Sequence, residues 1–163
     1  MSHDINRRDV LRGLGVTGTV AVAGCAGGGG GGGRTLKQGV LQPLSGGLGS
    51  LGKPIRDAAV LPVRLLEGNT EFTIDSQVED TQNDPNAGQT AASSLVDAGY
   101  PAVTGAANSE VTIQVAKNVF IPNSVVGCSP ASTSPAITDL DDNNLIWRTP
   151  PSDALQGQVL AQV

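Results

Sequence analysis

The sequence predicts an α/β fold, a doubly wound parallel sheet with helices on its faces. Three observations carry this. Short apolar runs flanked by Gly, Pro, Asn and Asp read as strands. Stretches with apolar residues three or four apart read as helices. The two kinds alternate at intervals of roughly 30 residues, the repeat of a βαβ unit, which joins parallel neighbours. Leu36–Leu41 is the first strand, followed by a Gly- and Ser-rich loop, Gln42–Gly52. Pro54 suits a first helical turn, and Ile55, Ala59, Val63 and Leu66 mark one buried face. Pro62 is expected to kink or break this helix, and Gly68-Asn69 to stop it. Phe72, Ile74 and Val78 give the second strand, and Asp80–Pro85 a polar loop. Ala87, Ala91, Leu95 and Ala98 line the next helix, which Gly99 ends. Ala102–Thr104 is the third strand. Ser109 is read as the N-cap of a helix carrying Val111, Val115 and Val119. Ser124–Cys128 and Asn144–Trp147 are the fourth and fifth strands, and Ser152 or Asp153 opens a last helix.

Composition narrows the function. The chain has 163 residues and a net charge of -5 with three lysines, a poor match to a phosphate backbone, so no nucleic-acid partner is expected. The acidic balance fits a protein made for high salt. Aromatic residues are 2%, too few for base-stacking platforms. The single histidine is His3, so the folded part lacks the usual general base. Two cysteines, Cys25 and Cys128, do not make a zinc site. No cofactor is expected.

The N-terminus reads as an address. Asn6-Arg7-Arg8-Asp9 precedes an uncharged stretch, Gly13–Ala23, too short for the ~20 apolar residues that span a bilayer. Arg7 and Arg8 resemble a twin-arginine export signal, with Asn6 and Val10 as departures. Val22-Ala23-Gly24-Cys25 resembles a lipobox, in which Cys25 becomes the lipidated first residue after cleavage. Seven glycines, Gly27–Gly33, then form a flexible tether. The expected division is a signal at 1–24, a lipidated Cys and linker at 25–34, and a ligand-binding lobe at 35–163. Residues 1–24 hold three Arg and two Asp, which leaves seven basic and thirteen acidic groups in the remainder.

Ligands of open parallel sheets sit at the carboxyl ends of the strands. The relevant loops are then Gln42–Gly52, Asp80–Pro85, Gly105–Ser109, Ser129–Pro135 and Thr149–Asp153. Ser109, at a helix start, offers an N–H and a hydroxyl to a carboxylate. Thr133 offers the same pair, and the Ala131 carbonyl accepts from an ammonium. Such a set suits a zwitterion such as a free amino acid. Asp80, Asp84 and Asp139-Leu140-Asp141-Asp142 lack calcium-loop spacing and read as solvated acidic loops.

The wording of the loops resembles the substrate-binding proteins of branched-chain amino acid ABC transporters, with the type I periplasmic-binding fold. The matching pieces are Gly39-Val40-Leu41-Gln42-Pro43-Leu44-Ser45-Gly46 and Asp80-Thr81-Gln82-Asn83-Asp84-Pro85. Val103-Thr104-Gly105 with Ser109, Ser129-Pro130-Ala131-Ser132-Thr133-Ser134-Pro135, and Trp147-Arg148-Thr149-Pro150-Pro151-Ser152-Asp153 with Gln156-Gly157 complete the set. The resemblance implies that Ser109 binds a ligand carboxylate and that Ala131 and Thr133 meet its ammonium and carboxylate. It places Leu51 against the ligand where relatives often carry an aromatic. It implies an amino acid ligand, ABC permease subunits as partners, a membrane reached through Cys25, and a location on the outer face of the cytoplasmic membrane. Cys128 has no disulfide partner and reads as a small buried apolar residue. The resemblance covers the first of two lobes, so the chain reads as truncated. Its ligand affinity is expected to be weak or undetectable, and micromolar calorimetric binding of leucine would refute this.

Two other readings use the same residues. A ligand-sensing receptor domain shares the fold, although a lipid anchor favours delivery to a transporter. A nucleotide-binding enzyme would use Gly47-Leu48-Gly49-Ser50-Leu51-Gly52, a G-x-G-x-x-G match between strand and helix. Its first glycine stands six residues past the strand, and Glu79 and Asp80 come over 30 residues after Gly47, later than the ~20 that a ribose-binding acid needs. The other match, Gly13–Gly18, lies in the signal. Titration with NAD against leucine separates these readings.

Overall fold

A computed structural model describes residues 34–162. The signal and tether assignments at Arg7, Arg8, Cys25 and Gly27–Gly33 lie outside the described residues. The predicted alternation of strand and helix is present. Strands β1 (Thr35–Gln42), β2 (Thr73–Asp80), β3 (Ala102–Gly105), β4 (Val126–Ser129) and β5 (Ile146–Arg148) form one sheet. Its order is β2-β1-β3-β4-β5, with every neighbouring pair parallel. The helices are α1 (Gly49–Leu66), α2 (Pro85–Asp97), α3 (Ser109–Val115) and α4 (Asp153–Leu160). The order reverses at β1: β2 lies on one side of it and β3 on the other, which puts the switch point, where open sheets of this kind bind ligands, between β1 and β3.

Alternate residues of β1 serve opposite faces. Leu41 joins a core with Ala91, Ala92 and Leu95 of α2, Val103 of β3, and Val111 and Val115 of α3. The helix of α3 continues through a π-helical turn, Ala116–Phe120, whose Phe120 is 2% exposed and fills the same core. Full burial of Phe120, Leu41 or Leu95 contributes about 1.5–3 kcal/mol each by removal of apolar area from water. The other face is thinner and partly polar. Gln38 donates to the Ala59 carbonyl of α1 at 3.5 Å and to Thr104 Oγ1 at 3.2 Å. The predicted inner face of α1 holds at Ile55, Ala59 and Val63, which are half-buried, but Leu66 is 45% exposed.

Several local expectations are corrected. α1 starts at Gly49, inside the stretch read as loop, so Pro54 sits in its interior. Pro62 neither breaks nor ends the helix, which runs on to Leu66. Both prolines face solvent, as do Ser50 and Ala58, whose carbonyls lose their N–H partners. Water can satisfy those carbonyls, so the penalty of an interior proline is reduced. Gly68 does mark the end, with φ +75, and Asn69 N–H closes on Leu66 O at 2.9 Å. β4 begins at Val126 rather than Ser124, because Ser124 takes φ +56 in the preceding turn. β5 begins at Ile146 rather than Asn144, because Asn143 and Asn144 are both at positive φ. Cys128 is half-buried rather than buried.

Candidate functional site

Three loops meet at the carboxyl end of the sheet, and hydrogen bonds fix them to one another. Asp80 ends β2 and accepts from Leu44 N–H at 2.8 Å, Ser45 N–H at 3.3 Å and Ser45 Oγ at 2.6 Å. It also accepts from Gln82 N–H at 2.8 Å. The loop after β1 is thereby tied to the loop after β2. Gly46 permits the approach: its φ is +70, and a Cβ there would lie 2.3 Å from the Gln82 carbonyl oxygen. Asn83 Oδ1 then accepts from Asn108 Nδ2 at 2.9 Å, which joins the second loop to the third. Asp80 is therefore a bonded junction and not a solvated loop acid. Asp84 is likewise bonded, capping α2 through Asn86 N–H and Ala87 N–H.

Burial would raise the Asp80 carboxyl, but the donors from Ser45, Gln82 and Leu44 outweigh it and hold it below the ordinary carboxylate range. A depressed folded value gives stability that is present above the unfolded value of about 4 and lost as pH falls through the folded one. Asp80→Asn is expected to flatten this acid limb and to lower stability at neutral pH. Urea midpoints of both proteins across pH 2–6 (about two units either side of an ordinary carboxyl) check this. Parallel slopes would show that Asp80 has no such role.

The N-cap of α3 is Asn108, not Ser109. Asn108 Oδ1 accepts from Glu110 N–H at 2.8 Å and Val111 N–H at 3.4 Å. Ser109 is the first helical residue, half-buried, and its Oγ accepts from Ser134 N–H at 3.3 Å. Its hydroxyl proton is free to donate. Its N–H is one of the helix's unpaired first donors.

The Ser129–Pro135 loop turns two hydroxyls inward. Ser129 and Ser132 are 0% exposed and Thr112 of α3 is 4% exposed. All three converge on the Ala106 carbonyl: Ser129 Oγ donates to it, Thr112 Oγ1 lies 2.9 Å away and Ser132 Oγ 3.2 Å. Ser132 Oγ also reaches Ala107 O at 3.2 Å and Thr112 Oγ1 at 2.8 Å, and Ser132 N–H donates to Ser129 Oγ at 3.0 Å. These bonds lock the Ser109 loop and the Thr133 loop into one unit. Arg148 of β5 holds the outer rim, donating to Ser134 O at 2.7 Å and to Thr138 Oγ1.

Thr133 is half-buried on this locked loop. Its Oγ1 lies 2.9 Å from Asp153 Oδ2 at the start of α4, and Asp153 N–H donates to Thr133 O at 2.9 Å. An ionised carboxylate only accepts, so the Thr133 hydroxyl donates its one proton to Asp153 and keeps lone pairs for anything else. The proton that would meet a ligand carboxylate is thus engaged within the chain. Ala131 is half-buried beside it. Leu51 lies in the first turn of α1, 47% exposed, and the hydrogen bonds that join Ser109 to the Thr133 loop do not involve it. The candidate glycine motif Gly47–Gly52 becomes a 3-10 turn (Gly46–Leu48) and the start of α1.

A profile described as periplasmic binding protein matches residues 35–162, nearly all of the described chain. This chain belongs to the periplasmic binding protein family. The Leu/Ile/Val-binding protein homolog 3 of Brucella melitensis biotype 1 is 26% identical over 146 residues, covering 88% of this chain and 39% of the relative. The ABC transporter substrate-binding protein of Desulfitobacterium hafniense, solved in complex with Leu, is 27% identical with TM-score 0.67. The match covers 78% of this chain and 38% of that one. The branched-chain amino acid transporter substrate binding protein LivJ of Streptococcus pneumoniae, solved with isoleucine, shares the fold at TM-score 0.68 and 22% identity. It is matched over 74% of this chain and 35% of its own. The chain therefore spans less than two fifths of the length of these relatives. The fold read from the sequence, a type I periplasmic binding protein lobe, is the fold found.

Ser109, Ala131 and Thr133, the candidates of the sequence, lie on loops held by residues that the sequence did not single out. Thr112 stands at an inward helix position that reads as ordinary core. Ser129 and Ser132 are buried and bond within the chain.

Proposed function

We propose that this protein is an exported solute-binding component of an ABC importer that captures a small amino acid, of the branched-chain type or close to it. It delivers the ligand to membrane permease subunits and performs no chemistry. The reading places it on the outer face of the cytoplasmic membrane, exported through Arg7 and Arg8 and anchored by lipid on Cys25. The observation that carries it is the opposite hydrogen-bond polarity of two hydroxyls on adjoining loops. Ser109 has one of its two lone pairs occupied by Ser134 N–H and its proton free. Thr133 has its proton occupied by Asp153 and its lone pairs free. A donor beside an acceptor suits the carboxylate and ammonium of one zwitterion, with Ala131 O as a second acceptor and Leu51 as part of an apolar wall.

Titration of 15N-labelled protein with L-leucine, followed by amide shifts, detects binding too weak for calorimetry. Saturable shifts are expected at Ser109, Ala131 and Thr133, with NAD giving none. Shifts from NAD with none from any small amino acid would overturn the reading.

A further inference from the structure

We infer that the outer face of α1 is a docking surface for a second copy of this chain, the two α1 helices packing antiparallel about a two-fold axis. The inference goes beyond the amino acid-binding reading and does not depend on it. It starts from a helix that is apolar on two sides. Ile55, Ala59 and Val63 are half-buried on the side turned to the sheet. On the other side Pro54, Ala58, Leu61 and Leu65 recur at helical spacing, which lines them up in one row. All four are exposed, Leu61 to 51% and Leu65 to 65%, and nothing among the described residues covers them. A row of this kind, edged by charges, marks a surface made for contact.

The charges beside the row identify the occupant. Asp57 and Arg64 are both exposed and about two helical turns apart, so they lie along the same edge of the row. Setting Leu61 against Leu61 of an antiparallel second copy brings Ala58 near Leu65 and Asp57 near Arg64, each twice by symmetry. The two-fold axis keeps the charged edges of both helices on one flank, where the pairs can form. A parallel pair would set Asp57 on Asp57 and Arg64 on Arg64, so charge selects the antiparallel arrangement. A partner of one charge sign would match only one of the two residues. Asp57 already accepts from Arg56 Nε at 2.7 Å through Oδ1, which leaves Oδ2 for a second cation. Arg64 has no ion-pair partner among the described residues. One helix face is smaller than the roughly 800 Å² per partner of a standard interface, so the dimer is expected to be weak.

Sedimentation equilibrium of the full chain, carried up to about 1 mM to reach a weak interface, is expected to show a mass rising from one copy towards two. Asp57→Arg and Arg64→Asp each turn two attractions into two repulsions, and each should weaken the dimer about ten-fold or more. Both positions are exposed, so the urea midpoints of the variants should match that of the unsubstituted chain. Mixed in equal amounts, the two variants should associate again, because in the mixed pair both contacts join an acid to an arginine. A dimer that neither variant weakens would place the contact on another surface, such as the exposed side of α4, and overturn the inference. So would a chain that stays monomeric at every concentration, or a mixture no more associated than its components.

Discussion

Gly52→Ala is expected to lower the unfolding free energy by about 3 kcal/mol, a large overpacking penalty. A Cβ at Gly52 would lie 1.9 Å from the Pro43 carbonyl oxygen and 2.6 Å from its carbon. Both are backbone atoms, so no side chain can swing away. Pro43 is held in turn by its neighbours, since Leu44 and Ser45 are bonded to Asp80. Relief requires α1 to move off β1, and Leu51 moves with it. Gly157→Ala is the control. It is also a helical glycine, in α4, but nothing lies within 4 Å of its added Cβ. There alanine should be neutral or stabilising by up to about 1 kcal/mol through helix propensity. Urea denaturation of both variants decides the matter. Similar midpoints would show that the close approach at Gly52 is not part of the folded protein.

Ser132→Ala is expected to destabilise by about 2 kcal/mol. The substitution fits the space and removes a hydroxyl that meets Ala106 O, Ala107 O and Thr112 Oγ1. With Ser132 and its surroundings sealed from water, Ala107 O loses a partner that solvent does not replace. Thr112→Val tests the same cluster from the helix side and should cost a similar amount. The two losses should not add, because both act on one network. The midpoint should shift with the denaturant slope unchanged. Losses below about 0.5 kcal/mol, the range of an ordinary surface substitution, would mean that the loops are joined by other means. A binding consequence follows from position: Thr133 is bonded to the chain next to Ser132, so a slack clamp should also reduce its response to leucine.

Much of the fold was legible because the physics of its elements is local. The β1 ladder, the inward Ala91 and Leu95 of α2, and the Gly68 and Gly99 stops follow from periodicity and from the backbone freedom of glycine. The errors lie where two local rules compete. Asn108 and Ser109 are both good caps, and the backbone used the first, which left Ser109 to face the neighbouring loop. Asn144 lies next to apolar residues yet takes the left-handed turn that asparagine tolerates. Pro62 survives in a helix because its ring faces water, and which side faces water is a tertiary fact. The candidate site was proposed from the residues that resemble a family's motif. Its supporting bonds were not legible, since Thr112, Ala106 and Ser132 are brought together only by the packing of α3 against the next loop.

The strand order also bears on how the chain reaches this state. Among the described residues β1 is made before the other strands, and it lies inside the sheet, between β2 and β3. Gly39 meets Gln77 of β2, but its partner on the other side, Val103, is synthesised 64 residues after it. One edge of β1 must wait for that partner, and closing so long a loop carries an entropic penalty before any contact repays it. Folding should therefore be governed by the arrival of β3, and until then the exposed edge of β1 is the part of the molecule most open to pairing with another chain.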